Sequence, residues 1–159
     1  MVKQEYTPGL DIMRTPIALD GRLLVLKIQG FGADTPTLLV NTYQWVNSPE
    51  NQLSAMSLLN HVYSLAKDCL RKNHHMIWTG DLNAVLSPDH RINYANVAAL
   101  APGDKLLQDM VMKMGATNIL GQNEITWKSK IGDQQSTLDH IFVLPPDLQV
   151  VKGGAEFNK

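Results

Sequence analysis

Residues 75–83, His75-Met76-Ile77-Trp78-Thr79-Gly80-Asp81-Leu82-Asn83, read as a short buried strand that ends in a tight turn bearing a carboxylate and an amide. Met76, Ile77 and Trp78 form an apolar run of strand type, and Gly80 lets the backbone bend where the strand stops. Leu82 alone separates Asp81 from Asn83. In locally extended backbone that spacing places both polar side chains on one face and turns Leu82 to the other. An anion and a neutral amide at the mouth of a sheet can share a metal ion, a water and a phosphate oxygen. The same residues also describe an Asx-rich turn whose side chains bond local backbone. The stretch by itself leaves both readings open.

Upstream, Arg22 to Ile28 and Thr37 to Gln44 are two apolar runs separated by a Gly-rich turn cluster, a pattern that predicts an antiparallel hairpin. The second run alternates at its end, with Asn41 and Tyr43 on one face and Thr42 and Gln44 on the other. Polar residues at the end of a buried strand often line a cleft. Ser48-Pro49-Glu50 has the residue types of a helix start. Ala55, Met56, Leu59, Val62, Tyr63, Ala66 and Leu70 then recur at three and four, predicting one apolar stripe down a helix that ends near Arg71-Lys72. His61 lies beside that stripe as a surface or boundary residue. His74 and His75 are adjacent on a strand, point to opposite sides and do not make a chelating pair.

Downstream of Asn83, residues 84–91 read as a loop leaving the cleft, braced by an Asp89–Arg91 pair. Residues 92–103 read as irregular or weakly helical. Asp104 to Met114 is a second amphipathic helix with Leu107, Met110, Val111 and Met114 on its stripe and Gly115 as its C-cap. Ile125 to Lys128 is a short strand, 130–135 a polar turn, Ser136 to Leu144 a strong strand, and Leu148 to Val151 a last one. Asp139 is the odd residue in its strand: beside Leu138, Ile141 and Phe142, a carboxylate is costly without a cation, a metal or several donors. His140 points to the other face, so it forms no dyad with Asp139 by adjacency.

The totals describe a globular chain. At 159 residues, 44% hydrophobic and 18% charged, it has the length of one domain with a real core. Its formal net charge of −1 excludes a broad basic surface for nucleic acid, so any phosphate binding is local. The single cysteine, Cys69, excludes an internal disulfide and a multi-thiolate zinc site, and it fits a reducing compartment. No apolar run approaches the roughly 18 residues needed to cross a bilayer, and Met1 to Tyr6 lacks the apolar core of a secretion signal. From these features an intracellular protein away from membranes is expected, its compartment unknown.

Four segments in this order resemble the endonuclease/exonuclease/phosphatase superfamily, the fold of DNase I and of exonuclease III-type abasic-site endonucleases. They are Gly21-Arg22-Leu23-Leu24-Val25, Val40-Asn41-Thr42-Tyr43, Gly80-Asp81-Leu82-Asn83-Ala84-Val85 and Ser136-Thr137-Leu138-Asp139-His140-Ile141-Phe142-Val143. Ile125-Thr126-Trp127 sits where that superfamily has a Thr-Trp strand. Finer details are similar to the endonuclease domains of non-LTR retrotransposons. The resemblance covers roughly residues 20–151, with 1–20 an irregular N-terminal end and 152–159 a tail.

The resemblance implies an α/β fold, a DNase I-like two-sheet sandwich flanked by helices, here truncated. It implies hydrolysis of a phosphodiester or phosphomonoester with Mg2+ or Mn2+, with nucleic acid, DNA rather than RNA, as the substrate. By position, Asp81 matches the residue that orients or deprotonates the attacking water. Asn83 matches the amide that holds the phosphate, and Tyr43 the tyrosine near the scissile phosphate. Asp139 matches the aspartate that orients a catalytic histidine. Asp81 and Asn83 are the metal-site candidates, and Asn41 joins Asn83 and Tyr43 as a phosphate-binding candidate.

Two parts of the superfamily pattern have no match. Its metal-binding glutamate usually follows a glutamine well before the Gly-Arg strand; Gln4-Glu5 is the only such dipeptide here, and 15 residues lie between Glu5 and Gly21. Its Ser-Asp-His segment, one strand past Leu-Asp-His-Ile, has no counterpart before Lys159. The chain therefore reads as an interior piece of such a domain, with weak or no hydrolysis and with sheet edges prone to self-association. Two alternatives remain beside the nuclease reading: a non-catalytic remnant or binding module that keeps the fold, and a hydrolase acting on a lipid or other small phosphoester.

Overall fold

Alternating buried and open positions along adjacent strands give the main sheet one dry face and one half-wet face. The structure, a computed structural model, describes residues 10–13, 16, 19, 21–29, 35–94, 100–120 and 124–145. Its strands are β1 (Leu10–Met13), β2 (Leu23–Ile28), β3 (Thr37–Tyr43), β4 (His75–Asp81), β5 (Arg91–Ile92), β6 (Thr117–Asn118), β7 (Trp127–Lys128), β8 (Gln135–Ser136) and β9 (Asp139–Leu144). Two helices, α1 (Gln52–Arg71) and α2 (Pro102–Met114), join them. A six-stranded sheet runs β1-β2-β3-β4-β9-β6, and a three-stranded sheet runs β5-β8-β7. β2 and β3 form the expected antiparallel hairpin. β3 and β4 are parallel, with α1 as their crossover, as a parallel pair requires. The architecture is that of a DNase I-like α/β sandwich.

Register stacks the dry face in rows. Val25, Val40, Trp78 and Phe142 face one another across four strands, and Leu38, Met76 and Leu144 form the next row. All are buried, and they pack with Leu58, Leu59, Val62, Ala66 and Cys69 of α1 and Leu107, Met110 and Met114 of α2. Trp78 packs against Phe142 with ring centres 4.8 Å apart and planes tilted by 32°, and its indole N–H donates to the Thr42 hydroxyl at 2.9 Å. A fully buried tryptophan thus keeps its polar atom satisfied. Burial pushes the Cys69 thiol up to about 11, with Asp68 adding to the rise and Lys72 opposing it, so it is a packed and unreactive thiol.

The helices differ from expectation in detail. The buried stripe of α1 is Leu58, Leu59, Val62, Ala66 and Cys69, whereas Met56 (39%) and Leu70 (46%) are exposed. α1 is apolar around much of its surface, and contact with both the sheet and α2 selects which line faces inward. Ser48 makes no cap bond; Pro49–Asn51 form a 3-10 turn that leads into α1. α2 starts two residues earlier than predicted, at Pro102, and ends as expected at Gly115 in the left-handed conformation, φ 63°.

Beyond Asn83, residues 88–90 form a 3-10 turn that enters β5. Arg91 does not pair with Asp89. It reaches the Asp104 carboxylate, Nη1 at 2.6 Å and Nη2 at 2.9 Å, because Asp104 is fully buried at the N-terminus of α2 and needs a cation. The predicted strand Ser136 to Leu144 splits. Gln135–Ser136 belong to the small sheet and Asp139–Leu144 to the large one, so this segment carries the chain from one sheet to the other. The strand expected at Leu148 to Val151 lies outside the described residues.

Candidate active site

β3 and β4 end where the antiparallel β9 begins, and the pairing aligns the polar residues at that edge. Tyr43 lies opposite Asp81 in the parallel pair, and Asp81 lies opposite Asp139 in the antiparallel one. Neighbouring strands are roughly 4.8 Å apart, and directly opposed residues share a face. Tyr43, Asp81 and Asp139 therefore form one row at the sheet end. Three of the sequence candidates from distant segments are brought together in this way. Asn41 is opposite Thr79, whose hydroxyl donates to its Oδ1 at 3.2 Å, and it sits one row back on the same face.

The backbone under Asp81 accepts only glycine at the preceding position. Gly80 has φ 142°, and a Cβ there would lie 1.8 Å from the Thr42 carbonyl oxygen. After Asp81 the chain turns sharply. Asn83 is left-handed (φ 47°), a conformation that asparagine tolerates, and its N–H donates to Asp81 Oδ1 at 2.9 Å. The extended backbone assumed from the spacing is thus not present at Asn83; an Asx turn brings the two residues together instead. Leu82 points into the core as expected, and its N–H donates to the Leu138 carbonyl at 2.9 Å. Asn83 Nδ2 donates to the Gln44 carbonyl at 2.8 Å, which holds the amide toward the end of β3. The structural and the functional reading of this turn are compatible: the local bonds place the groups.

Residues missed at the sequence level complete the frame. Thr126 Oγ1 accepts from the N–H groups of Leu138 (2.9 Å) and Asp139 (3.0 Å), which ties β9 at the point where Asp139 emerges. The Thr-Trp pattern marked this residue without revealing that job. Arg22 lays its guanidinium 4.5 Å from the centre of the Tyr43 ring and 4.9 Å from that of Trp45. Only the β2–β3 register shows that these three side chains meet.

Burial pushes the Asp81 carboxyl above its ordinary value; the Asn83 N–H pulls it down, and the charge of Asp139 adds to the rise. Among the described residues, the Asp139 carboxylate has no hydrogen-bond partner. All five histidines are described, and none serves it. His74 and His75 enter β4 at its far end. His140 is buried on the opposite face, with Nε2 2.9 Å from the Ala84 carbonyl, and burial lowers its proton affinity. Glu5 lies outside the described residues.

The donors at the sheet end are all oxygens: the Asp81 and Asp139 carboxylates and the Asn83 amide. No group of three or more His, Cys, Asp or Glu residues able to hold a metal occurs among the described residues. Two carboxylates and an amide fit a hard cation that keeps much of its water, as Mg2+ does. No described helix is long and apolar enough to cross a membrane.

No family's sequence profile matches the chain, and no curated protein does. Solved structures do match it. An AP endonuclease from Leishmania major aligns with TM-score 0.64 at 16% identity, over 87% of this chain and 54% of its own. The 3'-5' exonuclease NExo from Neisseria meningitidis gives 0.61 at 14%, over 84% and 57%. The endonuclease domain of TRAS1, a telomere-specific non-LTR retrotransposon, gives 0.57 at 18%, over 86% and 57%. The chain thus has the fold of the endonuclease/exonuclease/phosphatase structures, as its motifs imply, and it spans a little over half the length of these three.

Proposed function

We propose that the row Tyr43–Asp81–Asp139, with Asn83, is the water- and phosphate-handling half of a nuclease-type phosphoester hydrolase centre that uses Mg2+ or Mn2+. The observation that carries this reading is the alignment of two carboxylates and a tyrosine across three adjacent strand ends. The nuclease structures that share the fold support it, and the Neisseria 3' phosphatase NExo, solved with a product DNA hairpin, favours DNA as the substrate.

Asp81 is the water-orienting base: burial and Asp139 raise its proton affinity, which suits a carboxylate that must take a proton from water. Asn83, held by its bond to the Gln44 carbonyl, keeps a second amide hydrogen for a phosphate oxygen. Tyr43, half-exposed and braced by Arg22, lies opposite Asp81 in the strand register. Asp81, Asp139 and the Asn83 amide oxygen would hold the metal, which supplies charge neutralisation of the phosphate and activation of a bound water. Because no histidine faces Asp139, hydrolysis by this polypeptide is weak. That same feature favours, as a second reading, a phosphate-binding module without turnover.

Mn2+ titration followed by NMR line broadening tests the site directly. Broadening centred on the amides of residues 81–83 and 139, lost in Asp81→Asn, is expected. A Mn2+ titration that leaves those amides sharp overturns the proposal. Nicking of plasmid DNA in Mg2+ then separates the two readings: slow turnover abolished by Asp81→Asn marks the enzyme, and none marks the binding module.

A further inference from the structure

Arg22 extends the Tyr43–Asp81–Asp139 row by one more strand. Just before the first β2–β3 pair, Leu23 opposite Thr42, the Tyr43 N–H donates to the Arg22 carbonyl at 2.9 Å, which sets Arg22 across from Tyr43 on the same face. Its guanidinium lies against the rings of both Tyr43 and Trp45. Trp45 in turn lines a cavity of about 180 Å³ together with Gln44 and Asn83, so this cluster borders the candidate site.

The cation is held in place without being neutralised. The ion pairs among the described residues are Arg71–Asp68, Lys72–Asp68 and Arg91–Asp104, and Arg22 takes part in none. Its side chain makes one described hydrogen bond, a long one from Nη1 to the Tyr43 carbonyl at 3.4 Å, and Nε and Nη2 have no described partner. Two carboxylates stand in the same row, yet Tyr43 intervenes: a strand spacing of roughly 4.8 Å puts the Arg22 backbone about 10 Å from that of Asp81. Arg22 is half-buried and still open to solvent. A guanidinium steadied by aromatic rings keeps its N–H fork pre-organised, the geometry that receives two oxygens of a phosphate. Bracing Tyr43 would need only an apolar side chain, so an unpaired charge at this place points to an anion. A phosphate at Asn83 lies on the Asp81 side of Tyr43. A nucleic-acid strand carries one phosphate per nucleotide, so a strand laid along the row brings its next phosphate to Arg22.

We propose that Arg22, steadied by Tyr43 and Trp45, binds the phosphate next to the one held at Asn83. This rests on the hydrolase reading for the first phosphate and deepens it. The substrate is then a nucleic-acid strand with at least two consecutive phosphodiesters, and a small phosphomonoester fills only half of the site.

Titration of the 159-residue chain with the thymidine dinucleotide TpT, which has one phosphodiester, and with TpTpT, which has two, tests it. No metal is added, so neither is hydrolysed, and the Arg22 Nε–H and Trp45 indole signals are followed by NMR. TpTpT is expected to shift both signals and to bind roughly tenfold more tightly than TpT. Its affinity should also fall more steeply with salt, by about 0.7 in the slope of log K against log salt concentration. Arg22→Gln is expected to remove both differences, and Arg22→Lys, which keeps the charge, to retain the extra slope. Mn2+ broadening at residues 81–83 should persist in both variants. Equal affinity for TpT and TpTpT in the unaltered chain, or no shift at Arg22 with millimolar TpTpT, overturns the second phosphate site and leaves the hydrolase reading intact. Loss of the extra slope in Arg22→Lys as well as in Arg22→Gln marks a bracing role alone and also overturns it. Arg22-dependent preference for TpTpT with no Mn2+ broadening upholds the phosphate site and removes the hydrolase reading.

Discussion

Asp104 and Asp81 are both removed from bulk water, and the fold treats them in opposite ways. Asp104 is fully buried and accepts from the N–H groups of Val85 (3.0 Å) and Ala101 (2.8 Å) and from both ends of the Arg91 guanidinium. Asp81 is half-buried, accepts one described hydrogen bond, from Asn83, and faces a second carboxylate across the β4–β9 pair. A carboxylate that serves the structure has its lone pairs occupied by donors. One kept for chemistry leaves them free and is held in place by its backbone. Breaking the first therefore costs stability, and neutralising the second should cost function alone.

The largest effect is expected for Asp104→Ala. It leaves Arg91 without its counter-charge and two backbone donors without an acceptor, a loss of about 3–5 kcal/mol for a pair of this kind, measurable by urea unfolding. In the same assay Asp81→Asn should be neutral or slightly stabilising. Comparable losses for the two variants would break the distinction. Gly80→Ala comes next. The added Cβ would meet the Thr42 carbonyl in a strand pairing that cannot yield locally, and more than about 2 kcal/mol of destabilisation should follow. Thr126→Val should cost about 0.5–1 kcal/mol, because the Leu138 and Asp139 N–H groups lose their acceptor at a place that water can reach. Faster amide exchange at those two residues would locate the change.

The smallest effects are those of pH. Asp81 has a folded-state pKa above its ordinary value of 3.8. The folded state thus binds this proton more tightly than the unfolded state, and the penalty present at neutral pH is relieved as pH falls through the raised value toward 3.8. Asp81→Asn should remove that relief. His140 acts in the opposite sense. Its folded-state pKa is below 6.5, so its stabilising contribution is complete above 6.5 and is lost as pH falls through the depressed value. His140→Gln should flatten that acid limb in a series of thermal melts.

Much of this was legible in the chain itself. Period-two and period-three-four patterns placed β2, β3, α1, β4 and α2, and Asp81, Asn83, Tyr43 and Asp139 stood out as polar residues at the ends of apolar strands or within them. The less legible parts depend on partners far away in sequence. The inward line of α1 depends on which surfaces it meets. The partner of Arg91 is 13 residues away, not two, because Asp104 is fully buried whereas Asp89 is exposed. The break within 136–144 arises because the segment serves two sheets, and Thr126 holds the crossing.

Local chemistry in the sequence was enough to determine the main elements β2, β3, α1, β4 and α2, the turn after Gly80 and the residue types available for catalysis, since propensity, capping and hydrophobic period act over a few residues. Tertiary structure alone decided that Tyr43, Asp81 and Asp139 stand in one row and that Gln44 and Trp45 wall a cavity beside Asn83. Those facts follow from strand order and register, which are set by the simultaneous burial of the Val25–Val40–Trp78–Phe142 row against both helices. No segment carries that constraint within its own residues.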